Sequence, residues 1–476
     1  MKAPSLKASA FWRLLEGAGS EILSFAGFIV LARLLVPEDF GAVALAGSVM
    51  QLIQVALYNG SLESLIQHPK FEPRHFHAAC AANLAFAATL MVIGLALAWP
   101  LGWALHRPEF TWILSALLPT ALLRAFMSPM LAVLRRQMDF RSIALRTLLA
   151  VTVAAVVAVV CAWQGMGEWS LVAQQWTNEV VGIVFLAWRS PLKPTLARGD
   201  RQALRELLPV AMPVMGAQLV TNASRKLDNL AIGSQLGDHV VGIYFMANRL
   251  VMAAQAVALN GPSELAMVVL SKSNAGGSGR WLMVSSIVRL AVWPSFIVLG
   301  TLSLLGPTIV PLLFGPAWLE ASRPMAVLAA LAPAGAMING VGVALVARGS
   351  AAAYRRLAIA VAALLLGAIV AAAAHGIEAV VLAIGLVQCL SLPYALAQLR
   401  RAEALAWPPV LGRLGSLLLL HVAIFVPCAL LAVFVPSLGW AAGLLFVGAA
   451  AGAGWVRLRE DWARVSAFLA DAAAGR

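Results

Sequence analysis

Charge is scarce in this chain. Asp, Glu, Lys and Arg make up only 12% of its 476 residues, about half the share usual in soluble domains, which excludes a water-exposed enzyme. Cysteine is sparser still. Cys80, Cys161, Cys389 and Cys428 stand singly in or beside apolar stretches without a Cys-x-x-Cys spacing, so neither a disulfide framework nor a thiolate zinc site is expected. The glycine-rich run Ser273–Arg280 lacks the Gly-Lys-Ser/Thr ending of a phosphate-binding loop and reads as a linker, so no ATP site or other cofactor is expected.

What is abundant is apolar: 61% of the residues are hydrophobic. A helix crossing a bilayer takes about 20 apolar residues, and cutting the apolar runs at turn and charge signals predicts fourteen spans. They lie near 14–35, 42–66, 78–98, 110–134, 143–163, 168–188, 207–232, 240–266, 282–305, 323–347, 356–374, 377–399, 414–434 and 439–456. Lys2, Lys7 and Arg13 ahead of the first run mimic a signal peptide, but that run carries Glu16 and Glu21 and is expected to remain as the first helix. From Arg457 to Arg476, Trp462, Val465, Phe468 and Leu469 recur at helical spacing among charges, which suits an amphipathic tail at the interface.

The formal charge of +13 points to topology rather than nucleic acid, because the basic residues sit between apolar runs. With a cytoplasmic N-terminus, 26 of the 34 Lys and Arg fall inside, Arg33, Arg107 and Arg323 fall outside, and Arg124, Arg225, Lys226, Arg249 and Arg289 lie within spans. Both termini are therefore expected to be cytoplasmic.

The first hairpin, LARLLVPEDFGAVALA, and the seventh and eighth spans, AIGSQLGDHVVGIYFMA, align Leu35 with Leu236 and Gly41 with Gly242, an offset of 201 residues. LLPTALLRAFMSPMLAVLRR and LAPAGAMINGVGVALVARG make a second, looser match. The expected fold is an all-α polytopic membrane protein of about 14 transmembrane helices. Two six-helix lobes would be related by a pseudo-two-fold along the membrane normal, with two extra helices at the C-terminus. Residues 1–190 form the first lobe, 191–205 a basic cytoplasmic linker, 206–401 the second lobe, 402–456 the two additional helices and 457–476 the tail.

Over LARLLVPEDFGAVALAGSVMQLIQVALYNGSLESLIQ (Leu31–Gln67) and LDNLAIGSQLGDHVVGIYFMANRL (Leu227–Leu250), the chain resembles the polysaccharide transporter family of bacterial repeat-unit flippases. That family lies in the multidrug, oligosaccharidyl-lipid and polysaccharide exporter superfamily. LRRQMDFRSIALRTLLA, WSLVAQQ and LFGPAWLEASRP add to the likeness, which covers about the first 400 residues. The resemblance implies an inner-membrane transporter with a cavity between two lobes. It would move undecaprenyl-linked oligosaccharide from the cytoplasmic to the outer leaflet, with polysaccharide polymerase machinery as a candidate partner, and would bind no nucleic acid.

A charge at mid-bilayer costs several kcal/mol unless it meets water or a partner. Arg124 and Arg249 lie deep in the fourth and eighth spans, where they either line the cavity and attract the pyrophosphate or an acidic sugar, or form structural ion pairs. Arg225 and Asp228 are spaced i, i+3 and are expected to pair, leaving Lys226 as a substrate contact near the exit. Arg289, closer to the cytoplasmic end, is expected to snorkel. Glu16, Ser20, Ser24 and Gly27 form a polar stripe that must face the cavity or another helix. Glu21 and Glu179 either carry the coupling ion or neutralise Arg124. His68, His75, His77 and Cys80 hint at a metal cluster, but His75 and His77 point to different helix faces and Cys80 begins a span, so no metal is expected.

The leading expectation is a flippase without covalent chemistry. A cation-coupled multidrug exporter of the same superfamily is the first alternative and would favour acidic residues inside. A membrane polysaccharide polymerase or ligase is the second, and the longest outer connection, about Gly306 to Ser322, offers it only Glu320.

Overall fold

The computed structural model describes residues 6–473 apart from 106, 195–199, 224–226, 273–276, 348, 404–406 and 436–437. The chain divides into two compact units, Met1–Gly242 and Ile243–Arg476. Regular structure among the described residues is helical throughout, as a bilayer requires when every backbone polar group must be satisfied within its own segment.

The first unit holds α1 (Leu6–Leu34), α2 (Pro37–Gln67), α3 (Pro73–Ala104), α4 (Pro108–Leu117), α5 (Thr120–Arg136), α6 (Phe140–Trp163), α7 (Trp169–Arg189), α8 (Arg201–Ala223) and α9 (Leu227–Leu236). It also holds the first turn of α10 (Asp238–Lys272). The second unit contains the rest of α10, then α11 (Gly277–Phe314), a 3-10 turn (Pro316–Ala321), α12 (Ser322–Ala347), α13 (Ala351–Ala373) and α14 (Ile377–Ala402). The single turn α15 (Trp407–Val410), a π turn (Leu411–Gly415), α16 (Ser416–Phe434) and α17 (Gly439–Ala473) complete it.

Helices cover each of the fourteen expected spans, with the fourth split between α4 and α5 and the seventh carried by α8 and α9. Among the described residues, eleven helical segments are long and apolar enough to cross a membrane by length and composition, making this a multi-pass membrane protein. The segments on α2, α7 and α8–α9 fall outside that set. Gln174, Gln175, Asn178 and Glu179 lower the apolar content of α7, whereas α2 and α8–α9 include side chains outside the described residues. The tail is not a separate element either. α17 runs unbroken for 35 residues, because neither Gly nor Pro interrupts the good helix formers from Trp455 to Ala473.

Local chemistry sets the helix ends. Proline opens α2, α3 and α4, where its missing N–H costs no hydrogen bond. The Asp39 carboxylate accepts the Val36 N–H at 3.1 Å to fix the α1–α2 turn, and Asp139 caps α6 through the Ser142 N–H at 3.1 Å. Arg136 closes α2 from α5, donating from Nη1 to the carbonyls of Leu65, Ile66 and His68 at 2.8–2.9 Å.

Small residues set the packing. α6 buries Ala150, Ala154, Ala158 and Ala162 at one-turn intervals, and a Cβ on Gly27 of α1 would lie 3.0 Å from Ala155. Glu16 of α1 accepts a hydrogen bond from Thr147 of α6 at 3.3 Å. The polar stripe on α1 thus faces α6 at both its ends. The core of the first unit gathers Phe76, Met127, Met130, Leu131, Ile143 and Leu186. In the second unit Trp281, Val288, Phe296, Met337, Leu396 and Phe446 share one core. Its close fit depends on glycine, since a Cβ on Gly300, Gly443 or Gly454 would overlap Phe446, Leu305 or Trp293 respectively. The two C-terminal helices are therefore built into the second unit.

Candidate functional site

Inside the first unit, α5 and α7 bring the intramembrane charges together. Arg124 donates from Nε and Nη2 to Oε1 of Glu179 at 2.8 and 2.5 Å. The two ends of the pair differ in access: the Glu179 side chain is 3% exposed and that of Arg124 27%. Oε2 of Glu179 is buried without a hydrogen-bond partner. One turn further along α7, Gly182 leaves the space that the Arg146 guanidinium of α6 fills, only 2.8 Å from where a Cβ would stand. In the charge count Arg146 is one of the 26 basic residues expected inside, although it falls within the span expected at 143–163. Its position i+5 from Arg141 was a weak signal that it lies a full turn inside the span. Beside Arg124, Asn83 donates to Ser61 Oγ at 2.9 Å and to the Ala125 carbonyl at 3.2 Å, and Ser61 bonds Ser128 at 2.7 Å. A polar track thus links α2, α3 and α5 within an otherwise apolar interior.

The other singled-out residues are dispersed. Glu21 is on the exposed side of α1, away from the burial that encloses Glu179. Arg249 is half-buried on α10 in the second unit. Lys226 and Arg225 lie outside the described residues, as does the side chain of Asp228.

A second feature joins the α1–α2 turn to the α9–α10 turn. A methyl group added to Gly41 would fall on the carbonyl of Asp238, and one added to Gly242 would fall on the carbonyl of Pro37. The contact is reciprocal: each glycine sits four residues after the carbonyl that its counterpart meets. Gly237, at φ +100°, supplies the left-handed conformation that reverses the chain between α9 and α10. His239 bonds Glu38 at 2.7 Å, and Arg107 pairs with Asp238. Burial pushes the Glu38 carboxyl up, but hydrogen bonds from its own backbone N–H and from His239 outweigh this and hold it below its ordinary value.

At the opposite ends of α2 and α3, His68 and His75 meet Glu206 of α8, with His75 Nε2 2.8 Å and His68 Nε2 3.8 Å from Oε2. His77 and Cys80 are not part of this group, and Cys80 packs in the core. His75 Nδ1 accepts the Glu72 N–H at 3.0 Å, so the neutral ring carries its proton on Nε2 and donates it to Glu206. Arg74 lies 3.8 Å from the same carboxylate. A cation would have to displace that proton beside a guanidinium, so the cluster reads as a latch between α3 and α8. The hydrogen bond from His75 comes first among the influences that hold the Glu206 carboxyl below its ordinary range.

Arg289 does not snorkel. Its side chain is 11% exposed, and Nη1 lies 3.1 Å from Oδ2 of Asp461 on α17. A buried carboxylate on the neighbouring helix satisfies the charge more directly than a reach to the interface.

The chain shares its fold with two proteins of solved structure. It is similar to a lipid II flippase, MurJ, in an inward closed conformation, with a TM-score of 0.74 and 10% identity over 93% of this chain and 98% of that one. A multidrug resistance MATE family transporter of the MOP superfamily, inward-facing, aligns with a TM-score of 0.62 and 17% identity over 81% of this chain and 95% of that one. The polysaccharide biosynthesis protein family matches residues 30–323, and the chain belongs to it. The succinoglycan biosynthesis transport protein ExoT of Rhizobium meliloti (strain 1021) is 29% identical over 261 residues, 55% of this chain. The match spans about half, 52%, of that relative's length.

Proposed function

We propose that this protein is a flippase that carries undecaprenyl-pyrophosphate-linked oligosaccharide repeat units across the bacterial inner membrane for polysaccharide or lipopolysaccharide synthesis. Family membership and the flippase-like fold support movement of a lipid-linked sugar. The observation that carries the reading is the unequal access of the Arg124–Glu179 pair. A guanidinium held by a buried carboxylate yet open on its other side offers its remaining N–H groups to an anion, and a phosphate oxygen suits that fork. From the sequence, Arg249 and Lys226 are further candidate contacts for the same anion.

The same pair supplies a coupling step. When substrate phosphate takes hydrogen bonds from Arg124, Glu179 loses its counter-charge in a dry site, and protonation or a sodium ion replaces it. Release of the substrate restores the ion pair and expels the ion. Glu21 is the second candidate for this role. The two lobes of six helices alternate about a pseudo-two-fold axis, and both termini lie in the cytoplasm. The reciprocal glycine contact at the 201-residue offset supports that symmetry, and in this scheme it closes the outer end of the path.

The MATE-like fold also accommodates a cation-coupled multidrug exporter. Arg124 and Arg146 beside Glu179 favour an anionic cargo over a cationic one. A deletion strain separates the two: cytoplasmic-leaflet accumulation of undecaprenyl-linked oligosaccharide, restored to export by the wild-type gene, is expected. Normal export with altered drug tolerance would instead support the exporter.

A further inference from the structure

Three arginines converge on one aspartate in the second unit. Asp461 of α17, 2% exposed in its side chain, receives Arg413 Nη2 at 2.5 Å and Arg464 Nη1 at 3.0 Å on Oδ1 and stands 3.1 Å from Arg289 on Oδ2. Ser286 of α11 donates to the same Oδ1 at 2.6 Å and accepts from Arg413 and Arg464 at 3.1 and 3.2 Å. Three guanidinium charges against one buried carboxylate leave two in excess. Glu460 only grazes Arg464 at 3.9 Å and is largely exposed. Moreover, the Nε–H groups of Arg289 and Arg413 are buried without an acceptor, and Arg289 is itself nine-tenths buried. A buried charged donor lacking an acceptor is costly, so the cluster is short of an anion.

Its level in the bundle says which anion. Asp461 lies 22 residues beyond Gly439, about 33 Å along α17 at 1.5 Å per residue, where a bilayer core about 30 Å thick ends. Arg413 stands near the start of its own apolar segment, Pro408–Phe434. Trp455 and Trp462 are exposed on either side of Asp461, as befits the headgroup layer. Arg464, with 37% of its side chain exposed, opens the cluster to that layer, and the backbone carbonyl of exposed Arg457 accepts Arg289 Nη2 at 3.4 Å beside it. We infer that Arg289, Arg413 and Arg464 form a phosphate-binding site for the headgroup of an anionic phospholipid, separate from the transported substrate. The bound phosphate takes the unused guanidinium donors and locks α11, the π turn and α17 together.

The test uses the purified full-length protein in detergent, following its thermal unfolding while dioleoyl-phosphatidylglycerol, dioleoyl-phosphatidylcholine or inorganic phosphate is titrated in. Phosphatidylglycerol is expected to raise the unfolding temperature, while phosphatidylcholine leaves it unchanged. For R464Q, which alters the most exposed of the three arginines, half-maximal stabilisation is expected at a phosphatidylglycerol concentration about tenfold higher, as loss of one charge-assisted hydrogen bond implies. R413K repeats the comparison should R464Q not accumulate, because Lys keeps the charge but loses the planar fork. The site is refuted by equal stabilisation from both lipids, by none from phosphatidylglycerol, or by a variant that responds like wild type. Stabilisation by inorganic phosphate as strong as that by phosphatidylglycerol would overturn the lipid assignment in favour of a free anion.

Discussion

Cutting the Arg124–Glu179 pair from each side, and then from both, separates a structural tie from a substrate contact. Removing one partner of a buried ion pair costs about 3–5 kcal/mol. Glu179→Ala strands a guanidinium that keeps 27% of its side-chain surface, so partial solvation places it near the lower figure, about 3 kcal/mol. Arg124→Ala strands a carboxylate that is 3% exposed and whose Oε2 already lacks a partner, placing it near about 5 kcal/mol. The double variant strands neither charge. It is expected to be more stable than the two single losses added together, with a coupling of about 2–3 kcal/mol. Denaturant midpoints of the four purified proteins measure the cycle, and polysaccharide export by the four strains is read in parallel. A double variant that regains stability but not export assigns Arg124 a role in transport beyond holding Glu179. Additive losses would refute the coupling, and a double variant that both folds and exports normally would refute the substrate contact.

The outer contact predicts that a cleavable bismaleimide linking Glu38→Cys to His239→Cys stops export, and that cleaving the linker restores it; undiminished export by the linked protein would exclude a gate there. Gly41→Val and Gly242→Val each drive a side chain into a facing carbonyl and are expected to abolish export with protein still in the membrane, measured by blotting and polysaccharide yield, whereas normal yield from either would contradict the close approach. Glu206 titrates below its ordinary value of 4.5, so the stabilisation from its latch is present above pH 4.5 and disappears as the pH falls through the folded-state value. Glu206→Gln should remove that acid-dependent part of the unfolding profile, and an unchanged profile would show that the latch contributes nothing. For topology, cysteines placed at Asp238 and Glu320 are expected to react from outside whole cells while one at Lys193 does not; the reverse pattern would invert the orientation.

The helices were legible because bilayer physics writes them as long apolar runs. So was the need to neutralise Arg124, since two charges in neighbouring spans of one lobe have few other ways to be accommodated. The partnerships of His75 with Glu206 and of Arg107 with Asp238, each across 131 residues, left no local trace, because helix packing alone brings them together. Arg289 was misread for the same reason. Its nearest opposite charge is on a helix that hydropathy separated from the twelve-helix core, and the tail's amphipathic spacing suggested a surface helix rather than the end of α17. Arg146 went unnoticed because a charge near a span boundary reads as loop when no packing partner is visible.

The distance in sequence between Ser286 and Asp461, 175 residues, is also an interval of time during biosynthesis. At about 5–20 residues per second, α11 emerges roughly 9–35 s before the carboxylate that will neutralise Arg289. For that interval an arginine must be accommodated at the edge of the membrane without its eventual counter-ion. The headgroup phosphates of the membrane receiving the chain are the nearest anions at that depth, so a lipid that later fastens the finished bundle also serves the nascent one as a placeholder for Asp461. Membranes poor in anionic lipid should therefore lose α11 at insertion, well before any defect in transport is seen.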